Sequence, residues 1–279
     1  MKNSLKQVTI CILGSLLLAI FISVMAVLFS VRVGFISDGM IVNSINKVNY
    51  YGIVYREFMD KCEAIAIPNG LGGDVFVPFI SKEQIYNDGS NYLKAQLRGG
   101  TFEMDREGYK KKLKENIYKY VKQNDLTAEG DMEQIIESFC DEIMECYVEM
   151  IRFPHGEKIG FIFRRISDYF PYVFAAMLLF ALAVLWILIR QNRHNKGRFF
   201  RYVSYSTLSG AFSVCIVPIL CMFTRFYRRL QIYPEYMYQF IISYIEHGLK
   251  IMLIVGMILF AVSIALVELS ELWQKSLEY

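Results

Sequence analysis

Histidine and tryptophan are scarce in this chain of 279 residues, with three and two copies. His155, His194 and His247 lie far apart, and none has a second histidine three or four residues away. No His-Glu-x-x-His occurs, which excludes a zincin-type protease. The cysteines are Cys11, Cys62, Cys140, Cys146, Cys215 and Cys221, and none form Cys-x-x-Cys. Three of them, Cys62, Cys140 and Cys146, fall between the first two apolar runs, and an odd number argues against a disulfide framework there. Cys62 and Cys146 sit on apolar seams, where a cysteine acts as a small hydrophobe, and a bridge between them stays open as an alternative. Charge is also thin. Charged residues make up 20% and apolar residues 54% of the chain, against about 25% and 45–50% in soluble domains. That balance excludes a soluble enzyme, a disordered tail and a secreted disulfide scaffold. Gly70-Leu71-Gly72-Gly73-Asp74 follows a helical pattern and lacks the closing Lys-Ser/Thr of a phosphate loop, so it reads as a turn.

The apolar surplus is concentrated in four runs: 8–31, 171–189, about 202–224 and about 249–267. A hydrocarbon core about 30 Å thick needs about 20 apolar helical residues, and in lipid each backbone must satisfy its own hydrogen bonds. All four therefore read as transmembrane helices. The first follows Lys2 and Lys6 but exceeds the length of a signal-peptide core, and no small-x-small cleavage site follows it. It reads as an uncleaved signal anchor.

Basic residues set the orientation. Lys2 and Lys6 precede the first run, and Arg190, Arg193, Lys196, Arg198 and Arg201 crowd the segment between runs two and three. Both belong on the cytoplasmic side, which places both termini inside. Arg225, Arg228 and Arg229 disagree and are read as snorkelling to outer-leaflet phosphates. Residues 34–168 carry a net charge of −5 and the rest +8. The positive charge thus belongs to the membrane part and its flanks, as a topology signal and not a nucleic-acid one.

The expected class is an all-α membrane protein with four transmembrane helices and a mostly helical extracytoplasmic domain between helices 1 and 2. The expected segments are a cytoplasmic N-terminus and helix 1 (1–33), the extracytoplasmic domain (34–168) and helix 2 (169–190). A basic cytoplasmic loop (191–201), helix 3 (202–224), an aromatic outer loop (225–248), helix 4 (249–268) and a cytoplasmic tail (269–279) complete the order. The outer domain opens with a helix read as continuous with the first span, carrying an a/d seam of Val48, Tyr51, Tyr55, Phe58, Cys62 and Ile65. Pro68-Asn69-Gly70 ends it. Val75-Phe76-Val77-Pro78-Phe79-Ile80 and Thr101–Met104 leave room for one small β-hairpin. Ser81 with Gln84 forms a capping-box pattern for a helix to about Leu97, which Arg98-Gly99-Gly100 breaks. Asp105 caps a basic helix to about Gln123. Asp131 caps an acidic one to about Ile151, whose seam is Met132, Ile136, Phe139, Ile143, Cys146 and Met150. Phe153-Pro154-His155-Gly156 is the next break, and Arg164 and Arg165 mark the return to the membrane. Tyr233, Tyr236, Tyr238 and Tyr244 read as an interfacial aromatic belt.

No catalytic, cofactor-binding or metal residue is assigned, and no cofactor is expected. The acidic ladder Glu133, Glu137, Asp141, Glu145 and Glu149 lacks EF-hand spacing and reads as a solvated face beside the basic helix. Ser209-Gly210 with His247 resembles the serine–histidine pair of rhomboid proteases, but the two lie at opposite ends of their spans. Ser206, Ser209, Gly210 and Ser213 form a small-residue stripe suited to close helix packing, with another chain or within this one. The spans lack the carboxylates and histidines of an ion relay. The expected function is therefore non-enzymatic: an extracytoplasmic sensing or interaction subunit of a membrane complex. Its partners are the lipid bilayer, a membrane or cytoplasmic protein and a second copy in an oligomer, with no nucleic acid. The order of one span, a large outer domain and three spans resembles MacB-type ABC permeases, including the cell-division permease. That resemblance is one of layout only and implies, as the alternative, a permease-like subunit working with an ATPase.

Overall fold

The computed structural model describes residues 2–76, 79–124, 132–193 and 195–275. Nine α-helices occur among them: α1 (Lys2–Gly34), α2 (Asp38–Lys47), α3 (Tyr50–Ala66), α4 (Lys82–Arg98), α5 (Arg106–Gln123), α6 (Met132–Ile151), α7 (Gly156–Gln191), α8 (Lys196–Thr224) and α9 (Glu235–Lys275). Helices α1, α7, α8 and α9 are long and apolar enough to cross a membrane. No strand occurs among the described residues. Residues 73–75 form a turn of 3-10 helix, 101–105 run without ladder partners, and Val77 and Pro78 lie outside the described residues, so no hairpin is found.

The chain divides into two compact units. The span unit comprises Met1–Ile41, Arg165–Ile232 and Ile241–Tyr279. The bundle unit comprises Val42–Arg164 together with Tyr233–Phe240.

In the bundle unit local signals set the helix ends. The Ser81 Oγ accepts from the Gln84 N–H at 3.2 Å while the Ser81 N–H donates to Gln84 Oε1 at 2.7 Å, the reciprocal box its sequence predicts. Asp105 accepts from the Gly108 N–H at 2.9 Å and starts α5. Asp131, the expected cap of α6, lies outside the described residues. The helix expected to continue from the first span is instead three helices, α1, α2 and α3. Asn49, at a left-handed φ of 51°, separates α2 from α3, a conformation asparagine tolerates better than most residues.

The α3 seam also moves. Tyr51, Phe58 and Cys62 are buried as expected, but Val54 and Ala66 are buried where Tyr55 and Ile65 were expected. Buried positions at 54, 58, 62 and 66 step by four, because a straight helix drifts from the 3.5-residue heptad. On α6, Ile136, Phe139, Ile143 and Met150 are buried, and Cys140, Met144 and Tyr147 widen the stripe. The wider stripe follows from α6 packing on α3, α4 and α5 together. Cys146 is half-buried, the Met132 side chain lies outside the described set, and all six cysteines are free thiols. Burial pushes the Cys62 thiol up, which keeps it protonated.

Aromatic rings fill the bundle core. Phe58 meets Tyr147 edge-on at 5.4 Å and Phe76 stacks on Phe139 at 6.1 Å. Asp88 Oδ2 accepts the hydroxyls of Tyr109 at 2.8 Å and Tyr147 at 2.7 Å, joining α4, α5 and α6. Tyr236 and Phe240 are buried in this unit, with Tyr50 edge-on to Tyr236 at 4.9 Å and Phe153 edge-on to Phe240 at 5.3 Å. The expected aromatic belt is thus in part protein core. Its outer loop is also shorter than expected, since α9 begins at Glu235, just after Pro234.

The span unit packs by close approach. Cys11, Leu18, Ala181 and Leu188 bring α1 to α7. Ser206 Oγ donates to the Ser15 carbonyl at 2.7 Å, and a Cβ on Gly210 would sit 2.8 Å from Ile22, so α8 lies directly on α1. Ser204 and Ser263 bond reciprocally to each other's carbonyls at 3.0 and 3.1 Å, and Ser270 reaches the Gly197 carbonyl at 2.8 Å. The expected basic loop is mostly helix: only residues 192–195 separate α7 from α8, and His194 lies outside the described residues. The expected tail is helical to Lys275.

Candidate functional site

The candidate site is a cleft of about 430 Å³ in the bundle unit, between the end of α4 and the start of α7. That volume falls within the range of small-molecule sites, about 300–1,000 Å³. It exists because three residues at spacings of four on α7, namely Gly156, Gly160 and Arg164, share one helix face. A Cβ on Gly160 would lie 2.8 Å from the Leu97 Cα, and one on Gly156 would collide with the Gln96 carboxamide. Bare backbone at both positions lets α7 rest on the last turn of α4.

Gly99 closes α4 in the left-handed region, φ 74°, and Gly100 donates back to the Ala95 carbonyl at 2.9 Å. Over this end lies Arg164, whose Nη1 donates to the carbonyls of Leu97 at 2.6 Å and Gln96 at 3.4 Å. A guanidinium suits a helix C-terminus, where the unpaired carbonyls leave partial negative charge. It has five N–H donors in a planar fork, and Nη1 alone makes these two bonds.

Gln96 is 5% exposed. Its Nε2 donates to the Phe153 carbonyl at 3.5 Å, which orients the amide, and its buried Oε1 accepts nothing. A buried acceptor without a donor costs about 1–3 kcal/mol. Glu157, exposed at the start of α7, lines the same cleft and pairs with exposed Arg152 at 3.3 Å. Tyr92 and Phe102, edge-to-face at 5.9 Å, supply an apolar wall. The cleft therefore combines an anion, a cation and an aromatic surface, while the unmet Gln96 Oε1 is turned against Gly156.

A smaller hollow of about 160 Å³ lies beside Asn49, Tyr51, Lys82 and Tyr86. The Tyr51 hydroxyl there is buried without a partner, and burial raises it above the ordinary phenol range.

Other sequence signals resolve differently. Glu137 and Asp141 of the acidic ladder pair with Lys110, and Glu133 and Glu137 with Lys114. Those lysines hold the Glu137 carboxyl down at about 2. No group of three metal-ligating side chains converges among the described residues. Ser209 and His247 are both exposed. The antiparallel register of α8 on α9, with Ser204 opposite Ser263, sets them about 16 Å apart along the helices at 1.5 Å per residue. Arg228 binds Glu246 at 2.5 Å rather than serving only as a lipid anchor.

Sequence reasoning used Gly99-Gly100 and Gly156 as helix breakers and Arg164 as a membrane flank, and it passed over Gln96. The spacing Gly156-x3-Gly160-x3-Arg164 was the signal that could have joined them. No protein-family profile, curated protein or solved structure matches the chain.

Proposed function

We propose that the chain is a non-enzymatic, multi-pass subunit of a membrane complex. Its helical bundle faces the extracytoplasmic side, binds a ligand there and passes its state to a protein partner through the spans. One observation carries the reading: the wall of the cleft is the first turns of α7, and the same helix continues to Gln191 as one of the four apolar helices. A ligand seated on Gln96 and Arg164 therefore acts on a helix that also serves as a span. Pro171 within α7 removes one backbone hydrogen bond and offers a point of bending.

The basic residues on either side of residues 192–195 support an orientation with both termini in the cytoplasm. Single cysteines at Asn87 and at Asn195, in a chain without its native cysteines, test it with an impermeant thiol reagent on intact cells. Labelling at Asn87 alone is expected, and labelling at Asn195 alone overturns the orientation. Mild crosslinking in membranes should give species larger than one chain; a lone monomer overturns the complex. The order of one span, a helical unit and three spans also favours a second reading, a permease-like subunit of an ABC transporter. An ATPase that co-purifies with the chain would select it.

A further inference from the structure

We infer that the exposed side of α8 binds an anionic phospholipid, with its phosphate on Arg225 and Arg229 and an acyl tail laid along the helix into a groove at Ile216 and Ser213. The inference uses the span unit alone and goes beyond the ligand reading of the bundle. The orientation of the chain decides only which leaflet supplies the lipid. The headgroup end, the groove and the distance between them lead to it.

The headgroup end is the turn after α8. Arg225 closes the helix at a left-handed φ of 48°, with its N–H donating to the Cys221 carbonyl at 3.0 Å. Glycine is the usual residue in such a position. An arginine held there against its backbone preference points to a use for its side chain. Phe226–Arg229 then form a 3-10 turn. Tyr227 is 3% exposed, and its hydroxyl reaches Glu246 Oε1 at 3.4 Å. That contact pins the turn and leaves Arg225, Phe226 and Arg229 exposed. Positions three apart eclipse in a 3-10 turn, so Phe226 and Arg229 share one side. Glu246 is taken by Arg228 at 2.5 Å, whereas Arg225 and Arg229 have no side-chain partner among the described residues. These arginines follow directly on the apolar helix that ends at Thr224, where long cationic side chains meet lipid phosphates. A guanidinium takes a phosphate through two parallel N–H bonds. Three arginines against one carboxylate favour a headgroup that carries no ammonium of its own.

The groove, about 470 Å³, is lined by Tyr205, Leu208, Ser209, Phe212, Ser213 and Ile216. It exists because two small residues stand among large ones. Ser209 and Ser213 are the exposed half of the small-residue stripe; Ser206 and Gly210, the other half, are buried against α1. The Ser213 hydroxyl donates to the Ser209 carbonyl at 2.9 Å, so it is satisfied within the helix and leaves the groove fit for an apolar chain.

Exposed Leu220 and Phe223 continue this face from the groove up to Arg225. At 1.5 Å per residue, Ile216 lies about 13 Å and Ser213 about 18 Å below Arg225. Half of a hydrocarbon core is about 15 Å. The tail of a lipid whose phosphate rests on the arginines therefore ends in the near end of the groove. A helix of another chain would fill the groove but leave Arg225 and Arg229 unmatched.

The test is native mass spectrometry of the full-length protein in mild detergent, titrated with phosphatidylglycerol or phosphatidylcholine of the same long tails. Phosphatidylglycerol should be retained about tenfold or more over phosphatidylcholine, the worth of one charged hydrogen bond. Arg225→Gly should weaken phosphatidylglycerol by a similar factor with no fall in melting temperature, since glycine suits the left-handed position. Ser213→Leu, at an exposed site, fills the near end of the groove. It should weaken the long-tailed lipid by about fourfold, the worth of one buried methylene, and leave dihexanoyl phosphatidylglycerol unchanged. Equal retention of the two headgroups would overturn the inference, as would an Arg225→Gly chain that binds phosphatidylglycerol like the wild type. Displacement of the lipid by an equal concentration of inorganic phosphate would show a free-anion site instead. A fall in native mass for Ser213→Leu with lipid binding intact would assign the groove to a second copy.

Discussion

The two units of this chain solve the packing problem in opposite ways. In the bundle unit the largest side chains are inside: Phe58 and Phe76 are 0% exposed, and Tyr147 likewise. In the span unit small or hydroxylated residues share the buried positions with Leu18 and Leu188, among them Ser30, Ser204, Ser206, Ser263 and Ser270, while Phe223 is 86% and Leu179 68% exposed. The difference teaches which solvent each unit was built for. Water drives large apolar groups together, at about 25 cal/mol per Å² buried. Lipid gives no such drive, so helices there associate by close backbone approach and interhelical hydrogen bonds.

The same substitution should therefore have opposite outcomes in the two units. Phe58→Ala should cost about 3–5 kcal/mol as a core truncation, while Phe223→Ala, whose ring is almost wholly exposed, should cost less than about 0.5 kcal/mol. The readout is thiol labelling of Cys62, 0% exposed, in a chain whose other cysteines are replaced. Phe58→Ala should speed it by about a hundredfold or more. Equal, unchanged rates for both variants would erase the contrast.

Gly210→Leu comes next. Leucine there meets Ile22 and must push α8 away from α1, at a cost of about 1–3 kcal/mol for overpacking. A Ser15→Cys/Ser206→Cys crosslink should weaken while the native mass stays constant. A fall in native mass with the crosslink intact would instead return Gly210 to an interface between chains, the other of the two roles open to its small-residue stripe.

Ser204→Ala and Ser263→Ala should each cost about 0.6 kcal/mol, the average for hydrogen bonds between membrane helices. A double-mutant cycle on melting temperature checks whether the two serines act as one pair.

The smallest effect sharpens the polar side of the bundle. Lys110 and Lys114 hold the Glu137 carboxyl at about 2, below its ordinary 4.5. A depressed carboxylate stabilises the fold fully above the ordinary value and loses that contribution as pH falls through the depressed one. The α5–α6 pairing should thus weaken between about pH 4.5 and 2, and Glu137→Gln should flatten that part of the melting-temperature profile. An unchanged profile in the variant would show that the pairs contribute nothing measurable, as exposed pairs often do.

The sequence by itself determined the four long apolar helices and most of the helix ends in the bundle. Their signals are local: Ser81 and Gln84, or Asp105 and Gly108, stand three residues apart. The acidic and basic helices were also legible as neighbours, because their charge patterns complement one another. The tertiary structure alone decided the rest. It broke the expected continuous helix before α2 and again at Asn49, put Val54 and Ala66 into the α3 seam in place of Tyr55 and Ile65, and drew Tyr236 and Phe240 into the bundle core. It also turned Gly210 towards α1 and brought Gln96 to Arg164 and Glu157. The contacts that build the cleft link residues 57 and 67 positions apart, Gln96 with Phe153 and Leu97 with Arg164. Caps and periodicity act within a turn or two of the chain, whereas contacts at that separation depend on which helix faces meet, and two missing Cβ atoms on α7 settled that here.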